Sequence, residues 1–270
     1  MIIRKSSEEI EAMARAGALV VETIGAIGEA IRPGVTTAEL DELAEELIRS
    51  RGGVPTFKGY RGFPRSICSS PNSMVVHGIP GPYLLEDGDV VSIDVGVTLD
   101  GFVGDSAYTF AVGEIDAEAQ RLLDACRAAL AAGIAEARPG NHVGHISAAV
   151  QATTEAAGFS VVRSLVGHGV GRSMHEEPQV PNFGEPGRGP RLAPGMTLAI
   201  EPMITAGGPD VVLGDDRWSI STADGSLAAH FEHTVAVTQA GPRILTEAPP
   251  RSGNGALASV RPGLHGRSGR

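Results

Sequence analysis

Four acidic side chains in this sequence sit where acids are expensive. Asp94 ends the run Val90-Val91-Ser92-Ile93, and Glu201 ends the run Thr197-Leu198-Ala199-Ile200. Each falls six residues after a glycine, Gly88 or Gly195, in the segments Leu85-Glu86-Asp87-Gly88 and Leu192-Ala193-Pro194-Gly195. Each run is followed by a return segment with a second acid, Asp105 in one case and Glu232 in the other. An isolated ionised carboxylate inside an apolar strand is costly to desolvate, so it must be paired, protonated or bound to metal. Asp94 and Asp105 flank the turn signal Asp100-Gly101, and antiparallel pairing across it puts both on one face. Neighbouring carboxylates repel unless a cation lies between them. The matched placement of Glu201 and Glu232 predicts the same acidic hairpin twice, with four carboxylates meeting at a metal site between two halves.

His168, in Gly167-His168-Gly169, lies between glycines that let the backbone approach closely and leave the imidazole open. Beside a carboxylate cluster it is a candidate ligand. Oxygen ligands with one imidazole suit Mn, Fe or Co better than a structural zinc. Two ions about 3.5–4 Å apart would use four acids and one histidine. His77, in Val75-Val76-His77-Gly78-Ile79-Pro80, and His175, in Met174-His175-Glu176-Glu177-Pro178, are further candidates. His142, His145 and His230 have no comparable context, and no role is expected for them.

The positioning elements also come in two sets. Ser6 with Glu9 fits a capping box that opens a helix to about Ile31, stopped by Arg32-Pro33-Gly34. Thr36 with Glu39 opens a second, with Leu40, Leu43 and Leu47 on one face, ending at Gly52-Gly53. Asp89 to Val97 reads as a strand, and Phe102 to Val112 as its return. A helix from about Asp116 to Ala137 then stops at Arg138-Pro139-Gly140, and another runs from about Val143 to Ala157 and stops at Gly158. Gly34 to Gly140 and Gly52 to Gly158 share an offset of 106, and Asp94 to Glu201 has 107. Two helices followed by a hairpin, twice, is an α+β duplication.

The bulk numbers narrow the function. The 270 residues are 42% hydrophobic, enough for a sizeable core. A net charge of −10 argues against a DNA-binding surface, which needs a basic face. Cys68 and Cys126 supply no disulfide framework. The start, Met1-Ile2-Ile3-Arg4-Lys5, lacks a signal-peptide core, and no apolar stretch is long enough for a membrane span, so a soluble cytoplasmic protein is expected. Residues 1–248 read as one catalytic domain. Residues 249–270, rich in Gly, Ser, Pro and Arg, read as a disordered tail.

Together, His77-Gly78-Ile79-Pro80, Asp94 with Asp105, Gly167-His168-Gly169, His175-Glu176-Glu177-Pro178, Ile200-Glu201-Pro202 and Glu232-His233-Thr234 resemble the motifs of methionine aminopeptidases. Order and spacing match from about Ser6 to Thr246. The resemblance implies the pita-bread fold of the creatinase and aminopeptidase proteins, two pseudosymmetric halves around a dinuclear centre. Its implied activity is removal of the initiator methionine from nascent chains whose second residue is small, by attack of a metal-activated hydroxide. It implies two divalent ions (Co, Mn or Fe, with Zn a further candidate). Asp94 would bind one ion and His168 and Glu201 the other, with Asp105 and Glu232 bridging. Glu201 would also be the general base. His77 would hold the scissile amide nitrogen, and His175 would stabilise the oxyanion. The methionine pocket maps onto Phe57, Tyr60, Phe63, Cys68, Met174 and Trp218, whose aromatic faces and sulfur suit a thioether. Phe57 and Met174 stand where related enzymes often have a cysteine and an aromatic residue, and Gly96 stands where a threonine is common. The short interval from His168 to Glu201 excludes the helical insert of type 2 enzymes, and the chain begins at the first helix without a zinc-binding extension. This is the pattern of the short bacterial type 1 form. A monomer in transient contact with the ribosome is expected. The rivals are an Xaa-Pro aminopeptidase of the same fold and a non-catalytic ribosome- or RNA-associated relative.

Overall fold

In the computed structural model, residues 1–247 are described, so the reading of 249–270 as a disordered tail lies outside the described residues. The chain runs α1 (Ser7–Ala30), α2 (Thr37–Ser50), β1 (Val54–Pro55), β2 (Cys68–Pro71), β3 (Met74–Val76), β4 (Val90–Leu99) and β5 (Phe102–Ala111). It continues with α3 (Ala117–Glu136), α4 (Val143–Ala156), β6 (Ser160–Val161), β7 (Val166–Gly169), β8 (Glu176–Pro181), β9 (Thr197–Ile200) and β10 (Met203–Thr205). The last strands are β11 (Val211–Leu213), β12 (Ile220–Thr222), β13 (Ala228–His230), β14 (His233–Thr238) and β15 (Gly241–Ile244). Both capping boxes form: Ser6 accepts from the Glu9 amide and Thr36 from the Glu39 amide, while each glutamate accepts from the cap's own N–H. These contacts satisfy amides that the first helical turn leaves unpaired.

Each half buries two helices against its own strands. Leu19 and Ile27 of α1 and Leu40 and Ile48 of α2 pack with Ile93 and Val95 of β4. Leu122 and Leu130 of α3 and Ile146 of α4 pack with Leu198 of β9 and Val235 of β14. The duplication extends to backbone detail. Gly34 and Gly140, Gly52 and Gly158, and Gly88 and Gly195 all have φ between 78 and 95°, a region open to glycine and costly for other residues. Even the isolated bridges repeat, Thr36 with Leu84 in the first half and His142 with Arg191 in the second.

The second acidic hairpin forms as expected, but with a break in its pairing. In the first half, β4 and β5 pair without interruption from Val90↔Ala111 to Leu99↔Phe102. In the second, β9 pairs with β14 only from Thr197↔Ala236 to Ile200↔His233. Past a break at Glu201-Pro202, β10 takes up the same register with β13, from Met203↔His230 to Thr205↔Ala228, and the excursion between these two strands builds β11 and β12. Pro202 has no N–H to donate to the ladder, which is therefore broken there and resumes at Met203. This excursion ties the halves together, since β12 pairs with β3 of the first half.

The halves also meet along β5 and the segment into β14. The Glu232 amide donates to the Ala107 carbonyl at 2.9 Å, and the Ser106 hydroxyl donates to the Glu232 carbonyl at 2.5 Å. Thr234 accepts from the Asp105 amide at 3.1 Å and donates to the Asp105 carbonyl at 2.8 Å. Thr109 makes the same two-way pairing with His230. Asp105 and Glu232 are therefore set by the seam between halves.

Candidate metal centre and active site

Every candidate site residue read from the sequence lines one cavity of about 190 Å³. Asp94 faces Ala107 across the ladder and Asp105 faces Gly96, so the two acids are diagonal neighbours on one face, not direct partners. Glu201 and Glu232 lie one step beyond the Ile200↔His233 pair, opposite each other. Asp105, His168 and Glu232, all buried, offer ligand atoms within 4.8 Å of one another.

These residues fit a divalent cation on three grounds. First, Asp94 Oδ1, Asp105 Oδ1 and Glu232 Oε1 are buried with no hydrogen-bond partner, a costly state for a charge without a counter-ion. Second, burial raises Asp94 to about 7. Burial and then the neighbouring carboxylates push Asp105, Glu201 and Glu232 well above the usual range. Third, His168 Nδ1 lies 2.9 Å from the Gly169 carbonyl. A proton there points the Nε2 lone pair at Glu201 Oε1, 3.4 Å away, and Asp105 Oδ2, 3.7 Å away. Three acceptors facing one another need a cation in their midst, and a histidine fixed by a backbone carbonyl is the usual form of a metal ligand.

Elsewhere in the cavity wall, Phe63 meets the Trp218 ring edge to face at 5.1 Å and Phe57 at 6.5 Å. With Cys68 and Met174 they belong to a core cluster that also holds Phe102 and Val170. The wall is thus core packing with one face left open. Phe57 also accounts for one departure from the family pattern. A Cβ on Gly96 would lie 2.7 Å from the Phe57 ring, so the bare glycine makes room for that ring.

His77 adopts φ 60°, a left-handed conformation that costs a non-glycine residue about 1–3 kcal/mol. Burial lowers its pKa. His175 stands at the open mouth, stacked on Tyr60 at 5.4 Å and 4.2 Å from the His168 ring. The Tyr60 hydroxyl lies 2.8 Å from His175 Nδ1. Partial desolvation, then His168, Arg61 and His77, lower His175 to about 4. A neutral imidazole that accepts the Tyr60 proton at Nδ1 presents Nε2–H to the cavity.

His230, for which no role was expected, lines the same cavity. It is 2% exposed, its Nε2 lies 3.7 Å from Glu201 Oε2, and neither ring nitrogen has a hydrogen-bond partner. The signal was available, because His230 lies two residues before Glu232 and extended chain alternates faces.

A fold of two matched halves with buried carboxylates at their seam defines a class of metal-dependent hydrolase. The chain matches metallopeptidase family M24 over residues 11–239 and belongs to it. It is 52% identical over 246 residues to the methionine aminopeptidase of Clostridium perfringens, covering 91% of this chain and 99% of that one. It is 49% identical over 253 residues to methionine aminopeptidase 1 of Mycobacterium tuberculosis, covering 91% and 95%. A crystal structure of methionine aminopeptidase from Rickettsia prowazekii superposes with a TM-score of 0.90 at 41% identity, covering 91% and 100%. Among the described residues, no helix is long and apolar enough to cross a membrane.

Proposed function

We propose that this chain is a metal-dependent methionine aminopeptidase that removes the initiator methionine from nascent proteins whose second residue is small. The observation that carries the reading is that a carboxylate cluster and an apolar, sulfur-bearing wall share one cavity. Asp94 would hold one divalent ion and His168 and Glu201 a second, with Asp105 and Glu232 contributing to both and Mn, Fe or Co preferred over Zn. When bound, such ions supply an activated water and polarise the scissile carbonyl.

The chain's own residues do the rest. Phe57, Tyr60, Phe63, Cys68, Met174 and Trp218 enclose the methionine side chain. His77 holds the scissile amide nitrogen. Glu201 takes the proton of the attacking water and returns it to the leaving amine, as a general base and then acid. His175, kept neutral with Nε2–H free, donates to the oxyanion of the tetrahedral intermediate. We further infer a cytoplasmic monomer that meets nascent chains at the ribosome.

The test is peptide cleavage by protein stripped of metal and then titrated with Mn, Fe, Co or Zn. Metal-dependent release of methionine from Met-Ala-Ser, with Met-Ile-Ser and Ala-Pro-Ser left intact, is expected. Cleavage of Ala-Pro-Ser instead would move the chain to the Xaa-Pro class. Absence of cleavage with every metal would favour a binding role.

A further inference from the structure

Glu176 follows His175 directly, yet no step above uses it. It is buried and grips the loop that carries His175. Its Oε1 accepts from the Arg172 amide at 3.0 Å and the Ser173 amide at 3.3 Å. Its Oε2 accepts from Lys5 Nζ at 2.5 Å. The two side chains are only 3% and 6% exposed, which sets this pair apart from the Arg–carboxylate pairs of the surface.

Lys5 is fixed independently of Glu176. Its backbone N–H donates to the Gly195 carbonyl at 2.7 Å, and Arg4 Nε donates to the Pro194 carbonyl at 2.7 Å. The channel for its side chain is shaped around it. A Cβ on Gly171 would lie 2.4 Å from Lys5 Cε and 2.5 Å from Glu176 Oε1, and one on Gly195 would lie 2.8 Å from the Lys5 carbonyl. Gly171 also accepts from the Val103 amide of β5. The loop 171–175 is thus held on one side by the first half and on the other by the N-terminal segment.

We propose that Lys5 and Glu176 are a positioning pair, through which the N-terminal segment holds the 171–175 loop so that His175 and Met174 face the cavity. Two chemical facts support this. Apolar residues of similar volume often stabilise as well as a buried ion pair does, so the pair's specific product is the placement of the groups it grips. Removing one partner strands the other's charge, and the loop moves to solvate it. His175 sits where such a shift matters, with Nδ1 on the Tyr60 hydroxyl and its ring against His168.

The proposal rests on the aminopeptidase reading and on the oxyanion role of His175. Its test compares metal-loaded wild type, Lys5→Met, Glu176→Gln and the double variant on Met-Ala-Ser, with metal titration by calorimetry and melting curves. Lys5→Met should lower kcat about 10- to 100-fold, the range for outer residues that orient a site, with KM changed less and metal binding unchanged. Adding Glu176→Gln should restore kcat to within a few-fold of wild type, since the amide oxygen still accepts from Arg172 and Ser173 and no charge is stranded. Wild-type kcat in Lys5→Met below its melting temperature would overturn the proposal. So would a double variant no better than Lys5→Met, or a loss of activity that follows melting alone. If Lys5→Met does not fold, the isosteric Glu176→Gln carries the test, and an unchanged kcat there would overturn the pair. Wild type without turnover would sink the aminopeptidase reading, and the pair with it. An active wild type beside unaltered variants sinks the pair only.

Discussion

The two halves share a frame but carry different cargo. In the first, a continuous ladder from Val90↔Ala111 to Leu99↔Phe102 presents two short acids diagonally. In the second, a ladder broken at Glu201-Pro202 presents two longer acids opposite each other at the break, and β7 adds His168. The matched parts build the carboxylate cluster. The unmatched parts build the rest of the cavity wall: Phe57, Tyr60 and Phe63 from the segment after β1, Met174 and His175 from the loop before β8, and Trp218 from the excursion at the far end of the second hairpin. Repetition supplies the carboxylates, and departure from repetition supplies the aromatic and sulfur-bearing wall.

The sharpest way to break this comparison is to remove equivalent acids from the two halves. Asp105→Asn and Glu232→Gln should each cost at least about 100-fold in turnover, the upper end for residues that only support a metal ligand. Calorimetry should show weakened metal binding in both. Normal binding in either would mean that the halves do not share the cluster.

Next in size is the pH response of metal-free protein. Asp94 is raised from 3.8 to about 7 by burial, and the other three acids shift the same way. A carboxyl with a raised folded-state pKa contributes stability below its unfolded pKa and loses it as pH rises through the folded one. Chelator-treated protein should therefore melt several degrees lower at pH 8 than at pH 6. Manganese should remove most of that difference. Equal melting without metal would mean that the acids are not the buried cluster described.

Smaller still is a change confined to the substrate wall. Gly96→Ala places a Cβ 2.7 Å from the Phe57 ring and should push it into the cavity. An overpacking cost of about 1–2 kcal/mol corresponds to a KM about tenfold higher. Metal stoichiometry should not change, and replacing Phe57 by Leu in the same chain should recover part of the loss.

The smallest effect tests the frame itself. Gly52 and Gly158 have φ of 78 and 86°, and an added Cβ meets nothing within 4 Å at either. Gly52→Ala and Gly158→Ala should each cost about 1 kcal/mol by urea unfolding, from backbone strain alone. Unequal values would show that the equivalence is only geometric.

What the sequence made legible was local. Ser6 with Glu9, Thr36 with Glu39, the paired glycines and the apolar runs ending in acids follow from short-range rules, and each appears in the structure. The shared cavity of acids and aromatic residues came from the resemblance more than from spacing. Long-range choices were hidden. Nothing near Ile220 announces pairing with Val76, and the partnership of Lys5 with Glu176 spans most of the chain. Such contacts depend on how the halves dock, which no window of neighbouring residues records.

That docking has a mechanical consequence. Asp105 and Glu232 hang from backbone that is hydrogen-bonded across the seam in both directions. Shifting the backbone that carries either acid means stretching the junction between the halves itself.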